Sequence, residues 1–251
     1  MKIFIYFSLV LCCLCSCNTK PASPDQVIAT TSWTAAYALA AGATDVTVLA
    51  PYEMMHPSEY ELRPADIDRL SKTRLIVYAG YEVMVSQIKA GLKIPDEKMV
   101  KVNTSYNFAE IEASVMLIAK RLGTEPTAIK NLEEIKLLLS NGRMAIHEAG
   151  LDRHPALIHF FQESFTKEMG IRTTMIFGPA PPEPKQILEM AQTNASLIID
   201  NAHSPVGGSV KEILKNGQYK LLLNFPGLNQ TRTIADVIRY NIGQLTTKNP
   251  E

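Results

Sequence analysis

Val46-Thr47-Val48-Leu49-Ala50-Pro51, then His56-Pro57-Ser58-Glu59-Tyr60-Glu61-Leu62-Arg63-Pro64-Ala65-Asp66-Ile67, then Leu75-Ile76-Val77-Tyr78-Ala79-Gly80, is the stretch that decides the fold. The β-branched run Val46 to Leu49 has the composition of a strand, and Leu75 to Tyr78 repeats it before Ala79-Gly80. Pro64 suits the first position of a helix, where its missing N–H costs nothing, and Asp66 falls in the first turn, where the helix dipole favours a carboxylate. The pattern predicts a helix over Pro64 to Leu70 between two strands, the unit from which parallel sheets are built.

Outward from this unit the alternation continues. Val27 to Thr30 reads as a strand and Trp33 to Ala41 as a helix stopped by Gly42, which completes an N-terminal α/β lobe over residues 26–106. Asn107 stands where an N-cap belongs, Phe108 to Leu122 has apolar residues at helical spacing, and Gly123 ends it. A second helix, Pro126 to Leu139, stops at Asn141-Gly142, so residues 107–140 read as connecting helices. A C-terminal lobe, 141–251, then restarts the alternation. Its expected strands are Met144 to Ile146, Thr173 to Phe177, Leu197 to Ile199 and Leu221 to Leu223. Its expected helices are Pro155 to Met169, Glu183 to Gln192, Val206 to Leu214 and Ile234 to Leu245. The predicted fold class is α/β, with two lobes, each a mostly parallel sheet flanked by helices, bridged by a long helical segment. A cleft between such lobes, beyond the carboxyl ends of the strands, is where a ligand belongs.

The chain has 251 residues, 46% hydrophobic and 20% charged, with a formal net charge of zero. That composition is globular, and the absence of a basic stripe argues against a nucleic-acid partner. Lys2 followed by the apolar run Ile3 to Leu14 reads as a secretory signal over residues 1–16, too short for a stable anchor. The segment Leu14-Cys15-Ser16-Cys17 resembles a bacterial lipobox, which would make Cys17 the lipidated mature N-terminus and residues 17–25 a flexible tether. All four cysteines (Cys12, Cys13, Cys15, Cys17) fall in the leader, so none remains for a disulfide or a thiolate metal site. The alternative is that they serve as small apolar residues of a leader peptide. The expected location is outside the cytoplasm, tethered to a membrane face by lipid on Cys17.

Three of the five histidines follow expected strands: His56 after Leu49, His147 after Ile146 and His203 after Ile199. Three imidazoles facing one cleft suit zinc or another first-row divalent ion. His154 and His159 read as packing or surface residues of a helix, Glu53 and Glu82 as solvated loop carboxylates, and the ten scattered methionines as core filling.

The segment His56-Pro57-x-x-Tyr60-x-Leu62-Arg63-Pro64-x-Asp66, with Val48 to Pro51 before it and Leu75 to Gly80 after it, resembles the metal-binding solute-binding proteins of zinc and manganese ABC importers, the cluster A-I type. Weaker echoes at Glu183 to Ile187 and Arg239-Tyr240-Asn241 extend the likeness over most of the mature chain. The resemblance implies two α/β lobes bridged by a long helix, a divalent metal held in the cleft by ligands from both lobes, an ABC permease with its ATPase as partner, and a monomer. His56 matches the first family ligand. His147, in Ile146-His147-Glu148-Ala149, matches the histidine of the C-terminal lobe, and His159 competes with it by its distance from Met169-Gly170-Ile171. The family's second histidine is absent from Asn103-Thr104-Ser105-Tyr106, and its final aspartate is replaced by Asn224. His203 and Asp200 stand in a loop that lies near the cleft in the family, and they complete the expected set His56, His147, His203 and Asp200, with Asp200 as a carboxylate ligand or as the partner that orients an imidazole. A degenerate site that takes another ligand is the alternative.

The expected function is metal capture for import, of zinc or manganese, without catalysis. Two other functions compete: a zinc hydrolase with Glu148 as general base, and an adhesin-like lipoprotein that has lost its metal. No HExxH or Gly-x-Ser-x-Gly pattern supports an enzyme.

Overall fold

The structure, a computed structural model, describes residues 26–214 and 217–247. The signal segment, Cys17 and the tether lie outside the described residues. In the N-terminal lobe, β1 (Val27–Ala29), α1 (Ser32–Ala40), β2 (Val46–Val48), α2 (Pro64–Lys72), β3 (Leu75–Tyr78), α3 (Val83–Gly91) and β4 (Met99–Lys101) build a parallel sheet of order β2-β1-β3-β4. Two helices follow, α4 (Phe108–Leu122) and the long α5 (Glu125–Glu148). The C-terminal lobe holds β5 (Ala156–His159), α6 (Glu163–Glu168), β6 (Thr173–Phe177), α7 (Pro184–Ala191), β7 (Leu197–Asn201), α8 (Gly208–Ile213), β8 (Gln218–Leu222) and α9 (Ile234–Thr246). Its sheet is also parallel, of order β6-β5-β7-β8.

The inner strands explain this arrangement. Every residue of β1, β3, β5 and β7 is buried, as expected for parallel strands covered on both faces, whereas β2, β6 and β8 at the edges are partly exposed. One buried apolar cluster runs from Tyr37 of α1 through Ile118 of α4 and Leu139 of α5 to Ile158 of β5 and Ile238 of α9, so the helical bridge belongs to the cores of both lobes.

Two expected elements are corrected. Met144 to Ile146 is not a strand: α5 runs through Asn141-Gly142 and ends at Glu148, with Gly150 in the left-handed region just beyond. Gly142 is a contact residue rather than a stop. It lies where a Cβ would run into the side chain of Ile242 on α9, so the glycine permits close helix approach, which offsets its low helix propensity. Pro155 to Met169 is not one helix. Ala156 to His159 is an inner strand, followed by a tight turn at Phe160–Gln162 and the short α6. A short apolar run buried on both sides has no periodicity by which to tell strand from helix.

Candidate functional site

The carboxyl ends of both sheets face a common cleft. From the N-terminal lobe come Thr31 and Trp33 at the start of α1, the loop after β2 with His56, and Tyr81 after β3. From the C-terminal lobe come Phe161 after β5, Pro179 after β6, His203 after β7 and Asn224 after β8. The hollow they line has a volume of about 300 Å³. A neighbouring hollow of about 510 Å³ shares Trp33, Ser58, Tyr81, Phe161 and Asn224 with it.

The His56 loop owes its position to the motif that follows it. Asp66 accepts hydrogen bonds through Oδ2 from the Arg63 N–H (2.9 Å) and from Tyr60 Oη (2.8 Å), while Pro64 opens the helix. Tyr60, Arg63, Pro64 and Asp66 are therefore an N-terminal capping device for α2. A tight turn, Pro57–Glu59, joins this device to His56, whose carbonyl accepts the Glu59 N–H at 3.1 Å. The imidazole itself is exposed at the rim. Behind it, Glu82 is buried, contrary to the expectation of a solvated carboxylate. It accepts Thr30 Oγ1 at 2.6 Å and the N–H groups of Ala79 and Gly80, and so locks the β1 and β3 loops together.

His203 lies opposite, buried and stacked on Phe225 with ring centroids 3.7 Å apart. Burial pushes its pKa down to about 4, so the ring is neutral at pH 7. The Asn224 N–H donates to its Nδ1 at 3.4 Å, an arrangement that leaves the ring proton on Nε2. That Nε2 has no hydrogen-bond partner among the described residues, nor have Trp33 Nε1 and Asn224 Oδ1.

Tyr106 and Asn224, the positions at which the resemblance led to an expectation of two further ligands, meet in this region. Tyr106 is buried, stacks on Trp33 (5.6 Å) and on the edge of Phe165 (5.7 Å), and donates its hydroxyl to the Asn224 carbonyl at 3.1 Å. Ser32 Oγ donates to the Pro226 carbonyl at 2.6 Å, a second bond between the lobes. These contacts join the lobes at the floor of the cleft.

The structure brings together His56 and His203 of the expected set, and not His147 or Asp200. His147 lies in the last turn of α5 instead of at a strand end. Its side chain is 72% exposed, its Nδ1 pairs with Asp152 at 2.7 Å, and it lines a separate hollow with Arg143 and Glu148. The misplaced strand is the reason. Asp200 is fully buried, but its oxygens are occupied: Oδ1 accepts the Asn201 N–H, and Oδ2 accepts the Gly207 N–H (2.7 Å) and the Tyr219 hydroxyl (2.6 Å). It fastens the loop that carries His203 without bonding an imidazole. His159, the alternative to His147, ends β5 fully buried between Phe161 and Phe177, accepts the Phe161 N–H at Nδ1, and has Gly178 closely packed over Nε2. Among the described residues, no three His, Cys, Asp or Glu side chains lie close enough to hold a metal ion together. Sequence reasoning missed Trp33 as a cleft residue: read only as the start of a helix, it stands in the first turn of α1, just beyond the carboxyl end of β1.

The chain has the two-lobed α/β fold of periplasmic metal-binding proteins. Among solved structures, FpvC of Pseudomonas aeruginosa, an SBP crystallised with Ni2+ and with Mn2+, matches at 16% identity and a TM-score of 0.69, with 88% of this chain covering 95% and 97% of the two structures. A periplasmic metal binding protein of Candidatus Liberibacter asiaticus in its Mn-bound form matches at 13% identity and a TM-score of 0.66, covering 88% of this chain and 98% of that one. No protein-family model and no curated protein matches the chain.

Proposed function

We propose that the chain is an exported solute-binding lipoprotein, tethered by lipid on Cys17, that captures a divalent transition metal, manganese or zinc, in the interlobe cleft and delivers it to an ABC permease. The observation that carries this reading is the placement of His56 and His203, one from each lobe, on opposite sides of one cleft at the carboxyl ends of two parallel sheets. Two imidazoles from different lobes suit a borderline divalent metal. The likeness of the fold to proteins solved with Mn, Ni and Cd supports the same cargo class.

A zinc hydrolase has less support. It needs three protein ligands around an open position, and Glu148, its proposed base, sits with His147 in a helix turn that lines a different hollow. Calorimetric titration of Mn2+ and Zn2+ into the mature protein tests the reading. Binding of one metal per chain, lost in the His56→Ala/His203→Ala double variant, is expected. Unchanged affinity in that variant would remove the cleft from the account.

A further inference from the structure

The cleft is poor in ligands for a bare ion and rich in features for an organic one. Among the described residues, no third His, Cys, Asp or Glu side chain joins His56 and His203 in a group that could hold a metal, and His203 carries its ring proton on the nitrogen that would have to bind. A hollow of about 300 Å³, sharing five lining residues with one of about 510 Å³, lies in the range of small-molecule sites, while a water-sized ligand occupies only about 30 Å³. The walls are aromatic: Trp33, Tyr81, Phe160, Phe161 and Phe225, of which Tyr81 and Phe160 are about half exposed. Exposed rings lining a cleft present faces on which a flat ligand can stack.

Three of the residues that line this space carry unpartnered polar atoms. His203 and Asn224, 4% and 7% exposed, each carry a buried polar atom without a partner among the described residues, and so does Trp33. Trp33 Nε1 and His203 Nε2 are N–H donors, and a buried donor left unpaired is destabilising until something accepts from it. The matching ligand offers oxygen acceptors at its edge and an aromatic face.

We propose that the metal enters as a complex with a flat, oxygen-rich organic chelator, whose oxygens accept from Trp33 and His203, whose ring packs on the aromatic walls, and whose open coordination position faces His56. This rests on the metal-capture reading and narrows it. No covalent step is involved.

The probe is Ni2+ bound one-to-one by pyridine-2,6-dicarboxylate, a planar chelator with outward carboxylate oxygens that leaves coordination positions free. Its affinity for the mature protein is compared with that of aqueous Ni2+, Ni2+ nitrilotriacetate, which lacks a ring, and the chelator alone. The complex should bind at least tenfold more tightly than each of the other three. Trp33→Phe, which keeps a ring and removes the N–H, should weaken the complex about tenfold, with circular dichroism confirming the fold. Aqueous Ni2+ binding as tightly as the complex overturns this inference and leaves metal capture standing. Chelator alone binding as tightly as the complex, or an unchanged Trp33→Phe affinity, also overturns it. Failure of every probe, bare Mn2+ and Zn2+ included, overturns metal capture as well.

Discussion

Acidification should destabilise this protein through one imidazole in particular. His203 is buried against Phe225, its pKa lowered from 6.5 to about 4 by desolvation. Once the chain unfolds, the same ring returns to its ordinary value. Between those pH values the unfolded state binds the extra proton, so stability rises with pH through this window and is lost as pH falls. Above about pH 6.5 the ring is neutral in both states and contributes no pH dependence. At about 1.4 kcal/mol per tenfold change in proton affinity, the penalty reaches about 2 kcal/mol by pH 5 and roughly 3 kcal/mol below pH 4. That is a large share of a typical folding free energy of about 5–15 kcal/mol. The assay is urea unfolding of the wild type and of His203→Gln, which cannot titrate, at intervals from pH 7.5 to 4. Contributions of the carboxylates and of buried His159 cancel in the difference between the two proteins. The wild type should lose stability relative to the variant by about 2 kcal/mol from pH 7.5 to 5. A difference that stays flat across that range would refute the buried, neutral assignment.

His147→Ala should leave metal affinity unchanged and barely alter stability, since the imidazole is largely exposed; calorimetry and urea melts check both. Asp66→Ala removes the cap of α2 and the partner of Tyr60, and should cost about 1–2 kcal/mol in the same melts. Tyr106→Phe keeps the stack on Trp33 and loses only the bond to the Asn224 carbonyl, so a loss of about 1 kcal/mol is expected.

Much of the fold was legible because β1, β3 and β7 are short apolar runs rich in Val and Ile, and because α1, α4 and α9 begin at capping residues. Asn107 and Gly123 bound α4 where they were expected, and Thr173 to Phe177 is β6 residue for residue. The failures have local causes. Gly142 was read as a stop because its real reason, the approach of Ile242 from α9, is a contact between distant segments. That misreading shifted His147 from a strand end to a helix turn. The motif from His56 to Asp66 was legible for a different reason than its likeness suggested, since most of its residues build the helix cap that positions His56. Asp200 was expected as a ligand because its loop lies near the cleft in the proteins it resembles, but its bonds to Gly207 and Tyr219 bring in residues 7 and 19 positions away. Such partners leave no periodic signal.

Metal capture in the cleft is tested most directly by elemental analysis of the protein purified from a bacterial host without any chelating step, beside the His56→Ala/His203→Ala variant prepared identically. One divalent transition metal per chain in the wild type and a loss of at least nine-tenths of it in the variant is the expected result, on the order of a tenfold affinity change or more. Equal metal content in the two proteins, or none in either, would contradict it.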